Sequence, residues 1–357
     1  MIRTGTRRNL LKSAIAALPS LQCCPLLAED TRTYNNSLKR LSVLRPILED
    51  FPHYVEPVKC QTRFEAPPLI DEPEADLEVR AWRWSYNARG IIEIPNKLRA
   101  DRTAVIVVHP WAIDDGQGWK SPEPAGVAFQ CTPQKNRLVL QHARDVINPL
   151  LKRLRGKAKL IAYSLPGLED PIRDKIYRSW NSHPTTASRK EGMKELQAKL
   201  NNFSYFGGSL PKTIQLDGQT PVKSYFNAFP GLDAGDRYDP PGFWQLPVPV
   251  MATIDVALND LVIYDGDGYP KLRDHLREIG IKHVILAGYN TDMCVCKTTA
   301  GYENLREDFN VFLVGDATIA TFPGQDSPRH ATNASVSFAA LNLLITQSSW
   351  INHKPIA

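Results

Sequence analysis

Continuous runs of apolar residues alternate with amphipathic segments from residue 103 onward. The run 104–108 is rich in β-branched residues, which is typical of a strand buried on both faces of a parallel sheet. Similar runs predict further strands at 159–163, 261–264, 283–287 and 311–314. Helical spacing predicts helices at 133–156, 188–200 and 271–279, from about 292, and at 329–345. This alternation predicts an α/β fold with a doubly wound parallel sheet.

Two further segments do not follow this alternation. Residues 29–100 are punctuated by proline and predict an N-terminal arm, in which two strand-like pieces pair as a β-hairpin. Residues 164–245 hold one predicted helix among proline, glycine and aromatic residues. We interpret them as an insertion, since long loops of this kind often lie over a site. The α/β domain is then predicted to span 101–350, and 351–357 to form a tail.

The first 28 residues predict an export signal. Arg7 and Arg8 precede two leucines and Lys12, and an apolar stretch follows at 14–27. The pattern resembles a bacterial twin-arginine signal. The alternative is a short membrane anchor, but the stretch contains two prolines and is short for a bilayer. We therefore expect a protein exported to the periplasm or cell envelope, without membrane contact once the signal is removed.

Composition and charge are those of an ordinary globular protein. Of the 357 residues 43% are hydrophobic and 23% are charged, and the net charge is +5. Four of these positive charges lie in the predicted signal, so the mature chain is nearly neutral and gives no reason to expect a nucleic-acid partner. Four scattered cysteines remain outside the signal and do not form a disulfide framework, although a Cys60–Cys131 bridge stays open.

Polar residues that follow the predicted strands are the candidate site residues, because sites in doubly wound sheets lie at the carboxyl ends of the strands. His109 follows the first strand of the α/β domain, and Asp265 follows the third. Cys294 comes seven residues after the fourth. These three side chains are therefore expected at one edge of the sheet.

The segment after the fourth strand predicts a reactive cysteine. Gly288 allows a sharp turn, and Thr291 or Asp292 is expected to cap a helix whose first turn contains Cys294. Backbone N–H groups at such a position favour a thiolate and could hold an oxyanion in acyl transfer. The alternative is that Cys294 is a small buried hydrophobic residue, as most free cysteines are.

The same segment resembles a known family. The residues that carry the resemblance are Gly288-Tyr289-Asn290-Thr291-Asp292-Met293-Cys294-Val295, Thr299-Ala300, Val314-Gly315-Asp316-Ala317 and His330. They resemble the signature of the isochorismatase-like cysteine hydrolases in order and spacing, and the similarity covers roughly 101–165 and 246–350. The resemblance implies a three-layer α/β/α sandwich, often oligomeric. It also implies hydrolysis of small amides or vinyl ethers by a cysteine with an aspartate and a lysine.

The resemblance further implies details of the site and exposes two departures. A cis peptide between Tyr289 and Asn290 is implied, with an oxyanion hole formed by the N–H groups of Asn290 and Cys294. His109 stands where the family has its aspartate, and Asp265 stands in the region of its lysine. The zinc ligands of the nicotinamidase branch are not recognisable, so we predict no metal and no cofactor.

Two hypotheses follow from the departures. In the first, His109 is the base and Asp265 or Asp267 orients it, so that Cys294 can cleave a small amide-like substrate through a thioester. In the second, the catalytic machinery is lost, His109 is a structural hydrogen bonder, and the exported protein binds a ligand or serves in assembly. The residues expected to line a substrate pocket are Trp111, Asp114, Asp115 and Tyr289.

Overall fold

The computed structural model describes residues 31–42, 45–112, 114–117, 133–203, 213, 215–227, 245–323 and 329–356. The chain divides into two units, residues 1–35 and 36–357. The predicted export signal and Cys131 lie outside the described residues, so both expectations stay predictions. Cys60, Cys294 and Cys296 are free thiols. Within the described ranges, none of the helices has the length and hydropathy that a membrane span requires.

Strands and helices are labelled in chain order. The strands are β1 Lys39–Arg40, β2 Arg63–Glu65, β3 Leu77–Ser85, β4 Gly90–Leu98, β5 Thr103–Val108, β6 Leu160–Leu165, β7 Leu261–Tyr264, β8 His283–Tyr289, β9 Asn310–Ile319, β10 Leu344–Thr346 and β11 Ile351–His353. The helices are α1 Pro133–His142, α2 Asn148–Leu154, α3 Pro171–Ile176, α4 Thr186–Asn201, α5 Pro221–Asn227, α6 Tyr269–Glu278, α7 Cys294–Lys297, α8 Tyr302–Leu305 and α9 Arg329–Ala339. A π-helical turn, Ala143–Ile147, joins α1 to α2.

One mixed sheet contains the described strands. Its order is β1-β2-β4-β3-β10-β9-β8-β5-β6-β7, and β11 pairs with β3. All neighbours from β10 to β7 run parallel, whereas β3 is antiparallel to β4, β10 and β11. The chain proceeds outward from β5 through β6 and β7, then returns to the other side of β5 with β8. The predicted doubly wound α/β fold is confirmed, and its strand order reverses between β5 and β8, where such sheets place their ligands.

Hydrophobic clusters cover both faces of the sheet. Alternate residues of β5 point to opposite sides: Val105 and Val107 join one cluster, and Ile106 and Val108 join the other. The first cluster includes buried side chains of α1 to α4, and the second includes those of α6 to α9. The sheet is therefore the middle layer of an α/β/α sandwich.

The hairpin and the C-terminal residues both belong to this sheet. β3 and β4 pair from Leu77↔Leu98 to Ser85↔Gly90, and β3 also pairs with β10. The hairpin expected in an arm thus extends the central sheet, within the unit 36–357. The expectation of a tail from 351 is wrong at its start, because β11 pairs with β3 over three residues.

Two helical predictions also differ from the structure. The last helix was expected to reach residue 345, but α9 ends at Ala339 and β10 follows it. The apolar run 343–345 is too short for its spacing to distinguish a helix from a strand. It forms a strand because the edge of β9 is available for pairing. The region 164–245 contains α3, α4 and α5 rather than one helix. Asp170 caps the N-terminus of α3, and its carboxylate accepts the N–H groups of Ile172 and Arg173.

Gly288 allows β5 and β8 to approach closely at the reversal of strand order. It pairs with Val108 and has a φ of +119°. A Cβ atom at this position would lie 2.1 Å from the carbonyl oxygen of Val108 and 2.5 Å from its nitrogen. Those are backbone atoms of a central strand and cannot move aside, so only glycine fits here.

We expect Gly288→Ala to lower the free energy of unfolding by about 3 kcal/mol or more, because backbone strain and steric overlap add. Gly280→Ala is the matched control, since Gly280 also has a positive φ (+82°) but its Cβ would meet no atom within 4 Å. The control should lose only about 1–2 kcal/mol. Urea denaturation of the two variants measures the difference, and equal losses would contradict the steric argument.

Candidate active site

His109 is held in an uncommon backbone conformation directly after β5. Its φ is +45°, in the left-handed region that non-glycine residues rarely adopt and that costs of order 1–3 kcal/mol. Its N–H donates to the carbonyl of Ser164 at 2.9 Å, and its own carbonyl accepts the N–H of Trp111 at 2.9 Å. The residue is only 3% exposed. Such conformations concentrate at functional sites, which fits the position of His109 at the reversal of strand order.

Asp265 binds the imidazole of His109. It begins a short 3₁₀ helix directly after β7, and its Oδ2 lies 2.8 Å from Nε2 of His109. The Ser164 hydroxyl donates to its Oδ1 at 3.4 Å, and the Thr299 hydroxyl donates to its carbonyl at 2.8 Å. Ser164 therefore binds the carboxylate from β6, and Thr299 holds the backbone of Asp265 from the loop after α7.

The alternative partner, Asp267, has another role. Its Oδ2 accepts the indole N–H of Trp180 at 2.7 Å and the backbone N–H of Tyr264 at 3.1 Å. Its Oδ1 accepts from the ammonium of Lys271 at 2.9 Å. These bonds commit Asp267 to the start of α6, so Asp265 is the residue that orients His109.

Cys294 is the first residue of α7 and contacts His109. The residue is 5% exposed and belongs to the hydrophobic cluster on the α6–α9 face. Its thiol also lies close enough to the His109 imidazole for its charge and a hydrogen bond to raise the pKa of that ring. That polar contact distinguishes Cys294 from Cys296, whose thiol donates to the carbonyl of Thr291 at 2.8 Å.

The prediction that Thr291 or Asp292 caps this helix is wrong. The residue before α7 is Met293, and no side chain caps the helix, which is only four residues long. Thr291 instead bonds to the hydroxyl of Thr318 at 2.8 Å, and Asp292 accepts the N–H of Thr321 at 2.7 Å. Both side chains that were expected to cap the helix therefore tie the turn to the end of β9 and the residues after it.

The turn between β8 and α7 has the cis peptide that the resemblance implies. The peptide bond between Tyr289 and Asn290 is cis. The carbonyl of the buried Asn290 accepts the N–H groups of Met293 at 3.0 Å and Val295 at 3.1 Å. These bonds close the turn around the start of α7. The oxyanion hole expected at the N–H groups of Asn290 and Cys294 stays a prediction.

The charge of His109 is set by competition between burial and pairing. Burial lowers the pKa of the imidazole, whereas the charges and hydrogen bonds of Cys294 and Asp265 raise it. The partners outweigh burial, and the pKa of His109 rises from 6.5 to about 10. The arrangement therefore favours an imidazolium between Cys294 and Asp265.

Three of the four expected pocket residues serve the fold. Trp111 and Tyr289 are 0% and 1% exposed and pack in the cluster on the α1–α4 face, so neither offers a surface to a ligand. Asp115 accepts the side-chain amide of Gln117 at 2.8 Å and the N–H of Ala252 at 3.0 Å, which fixes its loop. Asp114 is exposed, with a φ of +53°.

Three supporting contributions were not predicted from the sequence. Ser164 and Thr299 hold Asp265, and His142 binds the Tyr289 hydroxyl at 2.7 Å. Ser164 was detectable, because it directly follows the predicted second strand at the edge of the sheet where site residues are expected. His142 carried no such signal, since a histidine in a helix gives no indication of its partner.

Metal binding finds no support among the residues that the structure describes. No group of three or more histidine, cysteine, aspartate or glutamate side chains there is placed to hold a metal ion. The expectation that the protein uses no metal stays a prediction.

The family comparison matches the part of the chain that contains Asp265 and Cys294. A family model described as the isochorismatase domain matches residues 261–341. Over that segment this chain is similar to the isochorismatase domain. The matched segment runs from β7 through α9 and does not include His109.

Solved structures that match this chain are distant. A cysteine hydrolase from Pseudomonas syringae pv. phaseolicola 1448A is 17% identical, with 71% of this chain and 91% of that chain covered and a TM-score of 0.38. An isochorismatase-like hydrolase from Alkaliphilus metalliredigens is 9% identical, with 70% and 94% covered and a TM-score of 0.36. PnC1 from L. infantum, in complex with nicotinate, is 14% identical, with 70% and 95% covered and a TM-score of 0.34. A search of curated proteins finds no match.

We expect Cys294→Ala to lower the pKa of His109, because the substitution removes a charge and a hydrogen bond that raise it. Nuclear magnetic resonance of the ¹⁵N-labelled imidazoles measures the titration. In the unmodified protein the ring should stay protonated at pH 8 and titrate near 10. Cys296→Ala is the control and should leave that titration unchanged. Titration of His109 near 6.5 in the unmodified protein would contradict the paired imidazolium.

Proposed function

We propose that this protein is a cysteine-dependent hydrolase that cleaves a C–N bond of a small amide-like substrate. The observation that carries the proposal is the position of the His109 imidazole, which lies 2.8 Å from the Asp265 carboxylate and close enough to the Cys294 thiol for that thiol to raise its pKa. A nucleophile, a base and an orienting acid in hydrogen-bond contact are the parts that acyl transfer needs. The match to the isochorismatase domain supports a hydrolase of that family.

Asp265 selects the useful tautomer of His109. Because the carboxylate accepts from Nε2, that nitrogen carries the proton of the neutral ring. The basic nitrogen is then Nδ1, which can take the thiol proton. Once both nitrogens are protonated, the carboxylate stabilises the imidazolium, in agreement with the raised pKa of His109.

The first half of the reaction forms a thioester. His109 takes the proton of the Cys294 thiol, and the thiolate attacks the substrate carbonyl carbon. The N–H groups of Asn290 and Cys294 donate to the oxyanion that develops on the carbonyl oxygen. His109 then gives its proton to the leaving nitrogen, the C–N bond breaks, and an amine or ammonia departs.

The second half regenerates the enzyme. His109 removes a proton from a water molecule, and the resulting hydroxide attacks the thioester carbonyl. The C–S bond breaks, and His109 returns its proton to the sulfur. The products are a carboxylic acid and the free thiol, and no cofactor enters either half.

The thiol and the imidazole are both buried. Cys294 and His109 are 5% and 3% exposed, so the pair attracts more strongly than it would in water. The side chain of Asp265 is 27% exposed and is the most accessible of the three. We infer that the substrate approaches the sulfur from the side of Asp265.

Acylation of Cys294 tests the proposal. We expect p-nitrophenyl acetate to release nitrophenolate in a burst and to leave one acetyl group on the Cys294 peptide, seen by mass spectrometry. His109→Gln should slow acetylation roughly a hundredfold or more, because the base is lost. Asp265→Asn should slow it as well, since the ring loses the group that holds it.

Cys296→Ser and Cys294→Ala are the controls for this experiment. Cys296→Ser removes a second thiol from the same short helix and should leave acetylation unchanged, whereas Cys294→Ala should abolish it. If the Cys294 thiol resists acetylation, or reacts equally fast without His109, the catalytic proposal is wrong. The same fold would then serve as a binding or assembly protein, and an export signal at residues 1–28 is compatible with either role.

A further inference from the structure

The turn that carries Asn290 and Cys294 is supported from the face of the sheet opposite the thiol. Cys294 lies in the cluster on the α6–α9 face, but Tyr289, at the end of β8, points into the cluster on the α1–α4 face. The side chain of Tyr289 is buried, so its hydroxyl needs a partner inside the protein. That partner is His142, the last residue of α1.

The direction of the hydrogen bonds at His142 is fixed. Its Nε2 lies 2.8 Å from the carbonyl oxygen of Asp316, which can only accept, so Nε2 carries a proton. Burial lowers the pKa of His142 to about 4, so the ring is neutral and its Nδ1 is an acceptor. The Tyr289 hydroxyl therefore donates to Nδ1 at 2.7 Å. Its other acceptor, the carbonyl of Val139, is distant at 3.5 Å.

The carbonyl that His142 binds lies in an irregularity of β9. The register between β8 and β9 shifts from Leu286↔Leu313 to Gly288↔Thr318, so β9 has extra residues in this interval. Asp316 lies among them, and its carbonyl is bound by His142 while its carboxylate accepts the N–H of Ser348 at 2.9 Å. His142 itself borders the π-helical turn of the helix, a rare element that often occurs near functional sites.

We propose that Tyr289 and His142 are positioning residues that hold the turn after β8 so that the N–H groups of Asn290 and Cys294 are aimed at the oxyanion. This inference rests on the proposed function. Neither side chain touches the sulfur, since both are buried on the other face. They act through the backbone. Tyr289 bonds to His142 of α1, and His142 bonds to the carbonyl of Asp316 in β9. These bonds hold Tyr289, and with it the adjacent Asn290, to α1 and β9.

Two reactions at the same sulfur separate positioning from general structural damage. Acetylation by p-nitrophenyl acetate passes through an oxyanion, whereas alkylation by iodoacetamide displaces iodide and needs no oxyanion hole. Tyr289→Phe and His142→Gln should slow acetylation of Cys294 roughly tenfold or more and leave its alkylation rate unchanged, because a small displacement of the donors costs acyl transfer alone.

Tyr54→Phe is the matched control. It removes another hydroxyl from the same cluster, since Tyr54 packs edge-on against His142 at 4.7 Å and donates to Asp145 at 2.6 Å. Its hydroxyl bonds to Asp145 rather than to the turn, so the substitution should change neither rate. If both rates fall together in Tyr289→Phe, or if neither changes, the positioning role is wrong.

Hydrogen exchange keeps the inference testable if the proposed function fails. Amides of Thr291, Met293 and Val295 are hydrogen-bonded in the turn, and their exchange should be faster in Tyr289→Phe than in Tyr54→Phe. An unmodified protein that is not acetylated at Cys294 would refute the proposed function alone. Exchange that is unchanged in Tyr289→Phe would refute the holding of the turn, whatever the result of acetylation.

Discussion

The close packing of β5 against β8 is the constraint on which the site depends. At the reversal of strand order Val108 pairs with Gly288, and a Cβ atom on the glycine would overlap the backbone of the valine. The next residue after Val108 is His109, and the turn that carries Cys294 begins just after Gly288. Two parallel strands that end side by side thus bring together an imidazole and a thiol that lie 185 positions apart in the sequence. Asp265 reaches the same edge from β7, with Ser164 of β6 between them.

Pairing, rather than exposure, sustains charge at this site. Burial alone lowers the pKa of His109, and the two acceptors reverse that effect. Cys294, His109 and Asp265 therefore depend on one another. Loss of one partner leaves a buried charge uncompensated, and this lowers the free energy of unfolding by more than the pairing raises it. His142 shows the opposite outcome of the same balance. It is equally buried but has a carbonyl and a hydroxyl as partners, and its pKa falls to about 4. One histidine is suited to carry a proton, and the other to fix a neutral hydrogen-bond direction.

The parts of the fold that follow from local pattern could be predicted from the sequence, and those decided by tertiary partners could not. The apolar runs that became β5, β7 and β8 are long or strongly β-branched, and Gly288 marked the turn. β10 and β11 are three residues each and exist because β9 and β3 offer edges to them. Thr291 and Asp292 have the chemistry of helix caps, but the end of β9 and the residues after it lie closer than the helix N-terminus and take their bonds. Tyr289 was expected in the pocket, but its side chain points into the opposite cluster.

The exchange of residue types at His109 and Asp265 changes how the proton must be handled. The family pattern that this chain resembles separates the tasks between an aspartate, which can accept the thiol proton, and a lysine, which supplies a fixed positive charge. In the mechanism that we propose, one imidazole must serve as base and, after protonation, as the cation, while Asp265 provides only orientation and negative charge. An imidazole can do both only if a carboxylate holds one ring nitrogen and the other nitrogen faces the sulfur. The 2.8 Å bond between Asp265 and Nε2 of His109 meets the first of these requirements. The left-handed backbone of His109 is consistent with that demand, since a strained residue persists only where its surroundings fix it.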